Sequence, residues 1–205
     1  MARQLMRFLL ASFLWVASAA MVATAQDAES EAATHAKIQT SMGDIVIELY
    51  PDVAPATVEN FLRYATEGKY DRTIFHRVVT GFVIQGGGYS RLLTERRPYD
   101  PIPYEGDKGL KNERGTIAMA RSDDPDSAAA QWFINLRDNP KLDHEVTQLG
   151  PIYGYAVFGR VVDGMEVADA IGAVETGPSG IFDAEVPLEP VFINRVDPVA
   201  WPEGE

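Results

Sequence analysis

The chain has 205 residues, with 30 acidic against 18 basic side chains for a net charge of −12, and no cysteine. A negative field of that size argues against nucleic acid and anionic membranes as partners. Without cysteine the fold must hold by packing alone, with no disulfide.

Met1–Ala25 carries Arg3 and Arg7, an apolar run from Phe8 to about Val22, and then Ala23-Thr24-Ala25. A charged start, an apolar middle and a small-x-small end are the parts of a secretory signal peptide. The run of about fifteen residues falls short of the roughly 20 that span a bilayer, and no cysteine follows to carry a lipid. Cleavage there leaves 180 residues, removes two basic and no acidic groups, and takes the charge from −12 to −14. The product is an exported chain of one domain with a sizeable core and no stable membrane association. Residues 26–36 read as a flexible tether that includes His35, 37–198 as the domain and 199–205 as a C-terminal tail.

Two short strands, Ala36–Thr40 and Asp44–Leu49, flank a Ser41-Met42-Gly43 turn. In the second, Ile45, Ile47 and Leu49 face inward, with Asp44, Val46 and Glu48 on the wet side. Val58, Phe61, Leu62 and Ala65 then fall at i, i+3, i+4 and i+7, an amphipathic helix with Pro55 near its start and Gly68 past its end. Ile74–Val79 is β-branched or aromatic at most positions and reads as one strand. Alternation puts Phe75, Arg77 and Val79 on one face and Ile74, His76 and Val78 on the other. Phe82–Gln85 reads as the next strand, and Gly86-Gly87-Gly88 as a tight turn without nucleotide-binding spacing. Residues 88–114 form a long charged loop, a kind that is usually functional or mobile.

Thr116–Ala120 is a further strand. Asp123, Asp124 and Asp126 lack the Gly and Glu of a calcium loop and read as a solvated turn. On Gln131–Asn135, Gln131 and Phe133 share one face, Trp132 and Ile134 the other. A loop, a strand at Tyr155–Val162, and a short helix at Gly164–Ile171 follow, the helix N-capped by Asp163 with Met165, Ala168 and Ile171 inward. A Gly/Pro-bearing loop leads to a closing strand, Val191–Asp197. The pattern is mainly β, an antiparallel barrel or sandwich with two helices.

His35, His76 and His144 do not pair at metal-ligand spacing. Ser127, His76 and Asp143 could be written as a hydrolytic triad, but no nucleophile elbow accompanies them. What remains is a cationic fork, amide side chains and aromatics on strand faces, a set suited to holding an extended, uncharged backbone against an apolar pocket.

Four segments in order, Phe75–Gly87, Gly115–Arg121, Ser127–Asn135 and Tyr155–Val161, resemble the successive signatures of cyclophilins, the peptidyl-prolyl cis-trans isomerases. The resemblance covers about Lys37 to Asp197 and is nearest the bacterial periplasmic branch, which agrees with the signal peptide. It implies an eight-stranded antiparallel closed barrel capped by two α-helices. It also implies isomerisation of X-Pro bonds in exported proteins, assisting their folding, with no cofactor and with a monomer acting on proline-containing polypeptides. By the same resemblance Arg77 is the catalytic arginine, with Phe82 and Gln85 beside it. Phe82, Val83, Phe133, Leu142 and Tyr155 line the proline pocket. Gln85, Gln131 and the backbone of Ala120-Arg121 hold the peptide. Placing Phe82 with Val83 and Gln85 requires a kink at Gly81.

Three positions depart from the family. Val83 stands for the usual Met, which widens the pocket, and Trp132 stands for a Phe, on the core side. Lys141 stands for the Trp or Phe that helps bind cyclosporin, which predicts weak binding of that inhibitor. The competing function is a non-catalytic peptide-binding chaperone or scaffold on the same fold.

Overall fold

The computed structural model describes residues 34–200; the expected signal peptide, most of the expected tether and the end of the expected C-terminal tail lie outside them. In chain order the elements are β1 (His35–Thr40), β2 (Gly43–Leu49), α1 (Pro55–Thr66), β3 (Thr73–Ile74), β4 (Arg77–Val79), β5 (Val83–Gly86), β6 (Thr116–Met119), β7 (Trp132–Asn135), β8 (Glu145–Thr147), β9 (Gly150–Ile152), β10 (Val157–Asp163), α2 (Met165–Gly172), β11 (Thr176–Ser179), β12 (Phe182–Pro187) and β13 (Phe192–Val199).

The main sheet is antiparallel throughout, in the order β3-β13-β1-β2-β10-β6-β7-β5-β4. Its two edge strands, β3 and β4, are consecutive in the chain and separated only by Phe75 and His76. Thr73–Val79 is therefore one broken strand, and the ladder returns on itself as an eight-stranded barrel. Closure removes the exposed edges that an open sheet would carry.

Alternation across the ladder explains the two faces. Val78, Ile84, Ile134 and Ile117 oppose one another across β4, β5, β7 and β6, and all four are fully buried inside the barrel. One residue along, Arg77, Gln85, Phe133, Ala118 and Val157 make a parallel row that extends to β10 and faces outward.

Helix α1 buries Val58, Phe61, Tyr64 and Ala65 against the barrel, and Pro55 is its first residue, where a missing N–H costs nothing. Glu105 takes the place of an N-cap: its carboxylate accepts from the amides of Ala56 and Thr57 at 3.2 and 2.9 Å and from the Thr57 hydroxyl at 2.7 Å. These are the free donors of a helix start, where a negative charge is also favoured. The long 88–114 segment is thus tied down from its middle.

Several expectations are corrected. The strand expected over Ile74–Val79 breaks at Phe75–His76, so its alternation fails there. Phe75, expected beside Arg77, lies in the core against Trp132 with ring centroids 5.7 Å apart, because its amide bonds to Val191 rather than to a ladder neighbour. Val46, expected to be wet, is buried, and α2 lies against β2. Asp163 is not the N-cap of α2: it stays in the ladder opposite Val46, and the chain turns at Gly164. His35 opens β1 instead of lying in the tether. The loops expected before Tyr155 and before the closing strand contain the hairpins β8–β9 and β11–β12.

Candidate active site

Arg77 and Gln85 stand directly opposite each other on β4 and β5. Arg77 Nη1 points at Gln85 Oε1, at 3.5 Å, and Gln85 Nε2 donates to Gln131 Oε1 at 2.9 Å. Gln131 fits there because residue 88 has no side chain: a Cβ on Gly88 would lie 2.5 Å from Gln131 Cγ. The triple glycine therefore serves close approach of Gln131 rather than a tight turn alone.

Beside this polar row is an apolar cluster separate from the barrel core. Val83, Ala118, Phe133 and Val157 form its buried floor, and Phe82, Leu110, Ala120, Leu142 and Tyr155 pack on it while remaining partly open to solvent. All five residues expected in the proline pocket are among these nine. Phe133 and Tyr155 meet edge to face at 5.3 Å, the geometry that aromatic quadrupoles favour. The kink expected at Gly81 is present: its φ is +65°, where an L side chain is strained, and Phe82 N–H closes the turn on Val79 C=O at 2.9 Å. The kink carries Phe82 to the side of Val83 and Gln85.

A chain of buried carboxamides holds this wall from behind. Asn139 Nδ2 donates to Phe82 C=O at 3.1 Å and to Asn135 Oδ1 at 2.8 Å. Asn135 Nδ2 donates to Asn112 Oδ1 at 3.2 Å, and Asn112 Nδ2 to Leu142 C=O at 3.0 Å. Phe82 and Leu142, 60 positions apart by number, are thereby fixed through one satisfied polar network. Sequence reasoning missed these asparagines, together with Leu110, Ala118, Val157 and Glu185; a buried-strand Asn such as Asn135 was the available signal.

The Ala120–Arg121 segment has a structural part besides the one expected. Ala120 N–H donates to Gln131 C=O at 2.9 Å. The Arg121 side chain donates to the carbonyls of Gly154 (2.9 Å) and Tyr153 and lies 5.0 Å from the centre of the Tyr155 ring. Its guanidinium braces Tyr155, in addition to whatever its backbone offers a peptide. Trp132 is fully buried, on the core side as expected, and Lys141 is exposed beside Leu142.

His76 does not point away from the site. The break at Phe75–His76 leaves His76 2% exposed, its ring tilted against Tyr89 at 4.5 Å and Phe182 at 5.7 Å. Burial lowers its pKa to about 4, with the Arg77 charge acting in the same direction and Gln131 and the Ile74 backbone opposing. It is therefore neutral near pH 7. Ser127 and Asp143 do not approach it. Ser127 Oγ bonds to Asp124 C=O and Ser122, and Asp143 accepts from Asn112 at 2.7 Å. No hydrolytic triad is assembled.

Comparison with known proteins places this geometry. The model of the cyclophilin-type peptidyl-prolyl cis-trans isomerase family matches residues 35–197. Peptidyl-prolyl cis-trans isomerase B of Escherichia coli is 51% identical over 157 residues, covering 77% of this chain and 94% of that protein. A peptidyl-prolyl cis-trans isomerase of Streptomyces antibioticus is 50% identical over 158 residues, with the same coverage of 77% and 94%. Among solved structures, a cyclophilin-type isomerase of Cryptosporidium parvum, determined in the presence of the dipeptide Ala-Pro, superposes with a TM-score of 0.64 at 27% identity, over 81% of this chain and 99% of that one.

Proposed function

We propose that this chain, which belongs to the cyclophilin-type peptidyl-prolyl cis-trans isomerase family, catalyses rotation about X-Pro bonds in exported polypeptides and so assists their folding. The observation that carries the reading is the outward row of the barrel, which sets the Arg77 guanidinium and the Gln85 amide next to Phe133 and its apolar cluster.

Amide resonance raises a barrier of about 18–20 kcal/mol against rotation, and X-Pro isomerisation without help takes tens to hundreds of seconds. At the twisted midpoint resonance is lost, and the imide nitrogen regains a lone pair. An N–H donor of Arg77 aimed at that nitrogen favours the transition state over both ground states. One such aimed donor is worth about 3–4 kcal/mol. Phe82, Val83, Phe133, Leu142 and Tyr155 hold the proline ring while the preceding carbonyl swings, and Gln85 is placed to follow it. Gln131 and the Ala120-Arg121 backbone hold the flanking peptide. Rotation breaks no σ bond, so no nucleophile or titrating group is required.

Export rests on the Met1–Ala25 pattern of the sequence, and a periplasmic location follows from it. The test of the activity is a protease-coupled isomerisation assay on an Ala-Pro tetrapeptide with the mature protein. Acceleration that Arg77→Ala abolishes supports the reading; peptide binding without turnover would replace the enzyme with a holdase.

A further inference from the structure

Arg77 has a second partner that its own strand does not supply. Its Nε donates to Glu185 Oε2 at 2.7 Å, from a hairpin 108 positions further along the chain. We propose that Glu185 is a positioning residue for Arg77, holding the guanidinium by its Nε edge so that the Nη edge is presented to the prolyl bond. The proposal rests on the isomerase reading above.

Three observations support it. The first is the division of donors. A guanidinium has five N–H groups in a rigid plane. Glu185 takes the one on Nε, Gln85 lies 3.5 Å from Nη1, and the two acceptors approach from different elements, β12 and β5. Two such anchors set the rotation of the plane, which a single anchor would leave free.

The second is backbone geometry. Glu185 has φ +68°, one of three non-glycine residues at positive φ among the described residues. It sits where the β11–β12 register shifts: Gly177 opposes Val186, yet Ser179 opposes Phe182, so β12 bulges between them. Bulges re-aim side chains and gather beside active sites, and strained backbone persists only where its surroundings over-determine it. Asp183 and Ala184 in the same bulge are exposed, whereas Glu185 is turned toward β4.

The third is that stability does not account for the pair. The two side chains are 35% and 41% exposed, and ion pairs so open to water contribute little to folding. The hairpin has its own anchor, Phe182, whose ring packs 5.1 Å from Tyr89 and 5.7 Å from His76.

The experiment uses the mature protein with Glu185→Ala, Glu185→Gln and Glu185→Gly, measuring kcat and KM for one uncharged prolyl peptide. It also follows the Arg77 Nε–Hε resonance by NMR. In Glu185→Ala we expect kcat to fall about tenfold or more with KM within about twofold, the cost of a misplaced catalytic group. Glu185→Gln keeps an acceptor oxygen and should recover most of kcat. Glu185→Gly relieves the left-handed strain, so it should keep its Tm and still lose kcat. A merely structural residue would not separate stability from turnover in this way. Unchanged kcat in Glu185→Ala overturns the proposal, and so does a rise in kcat, which would make Glu185 a competitor of the substrate. If wild-type protein itself shows no turnover, the isomerase reading fails by that result. The NMR arm still decides the contact: an Arg77 Nε–Hε signal identical in wild type and Glu185→Ala overturns the pairing.

Discussion

Gln85 donates to Gln131 at 2.9 Å although the two are 46 positions apart, one on β5 and one at the mouth of β7. The bond aligns the amide that faces Arg77, and it exists because the ladder brings those strands together and Gly88 leaves room. Gln131→Leu removes the acceptor and frees the Gln85 carboxamide to rotate. Its kcat/KM should fall about tenfold, with stability changed by no more than about 0.5–1.5 kcal/mol. Unchanged kcat/KM would mean that Gln85 needs no such alignment.

Arg77→Ala should lose about a hundredfold or more in kcat/KM, the usual cost of deleting a donor aimed at a transition state. Arg77→Lys should be impaired as well, because an ammonium cannot serve Glu185, Gln85 and substrate from one plane. The isomerisation assay checks both, and near wild-type turnover in Arg77→Ala would remove this arginine from the mechanism.

The pH profile of kcat/KM for an uncharged peptide should be nearly flat from about pH 6 to 9, since arginine stays charged across that range. His76 is an ionisable neighbour on the far side of Gln131, and burial holds its pKa at about 4, below the window; the Glu185 carboxylate on Arg77 Nε is the other. A tenfold change tracking one ionisation near pH 6–7, and lost in His76→Gln, would show that a proton moves in the reaction.

Stability should respond to His76 below that window. Its folded pKa is depressed from 6.5 to about 4, so between those values the unfolded chain binds more protons than the native one. Stability therefore falls as pH drops through that interval, by about 3 kcal/mol at most from this group. Thermal melts of wild type and His76→Gln at pH 7 and pH 4.5 measure it. The variant should lose less, since the low carboxyl pKa values of Glu67, hydrogen-bonded by Tyr99, and Asp169, hydrogen-bonded by Arg114, are common to both proteins. Equal losses would place the His76 charge in water.

Asn139→Ala should cost about 1–3 kcal/mol in urea unfolding, because it strips Asn135 Oδ1 of a donor in a buried network. The same change loosens Phe82, so kcat/KM should fall alongside stability. A variant with lowered stability and unaltered kcat/KM would show that the network holds the fold and not the pocket.

The mature protein should begin near Gln26 and be recovered in a soluble exported fraction. Mass spectrometry of the processed chain decides this: a mass that includes Met1–Ala25 would refute export by cleavage.

The alternation of β4, β5 and β7 was legible from residues alone because side chains in a strand have a period of two. That rule puts Val78, Ile84 and Ile134 inside and leaves Arg77, Gln85 and Phe133 outside once one strand's facing is known. The pocket residues Phe82, Val83, Phe133, Leu142 and Tyr155 were named from motif resemblance, and the need for a kink at Gly81 followed from the same period. The structure brings the five into one cluster and shows the kink. Tertiary structure alone decided where that period stops. Phe75 and His76 change places relative to the alternation because the amide of Phe75 pairs with Val191, a partner that no local pattern names. The contacts that join Asn112, Asn135 and Asn139, and the Arg77–Glu185 pair, were invisible for the same reason. Periodicity reports on neighbours within one element. A contact between a strand and a bulged hairpin 108 positions away depends instead on how the whole barrel closes.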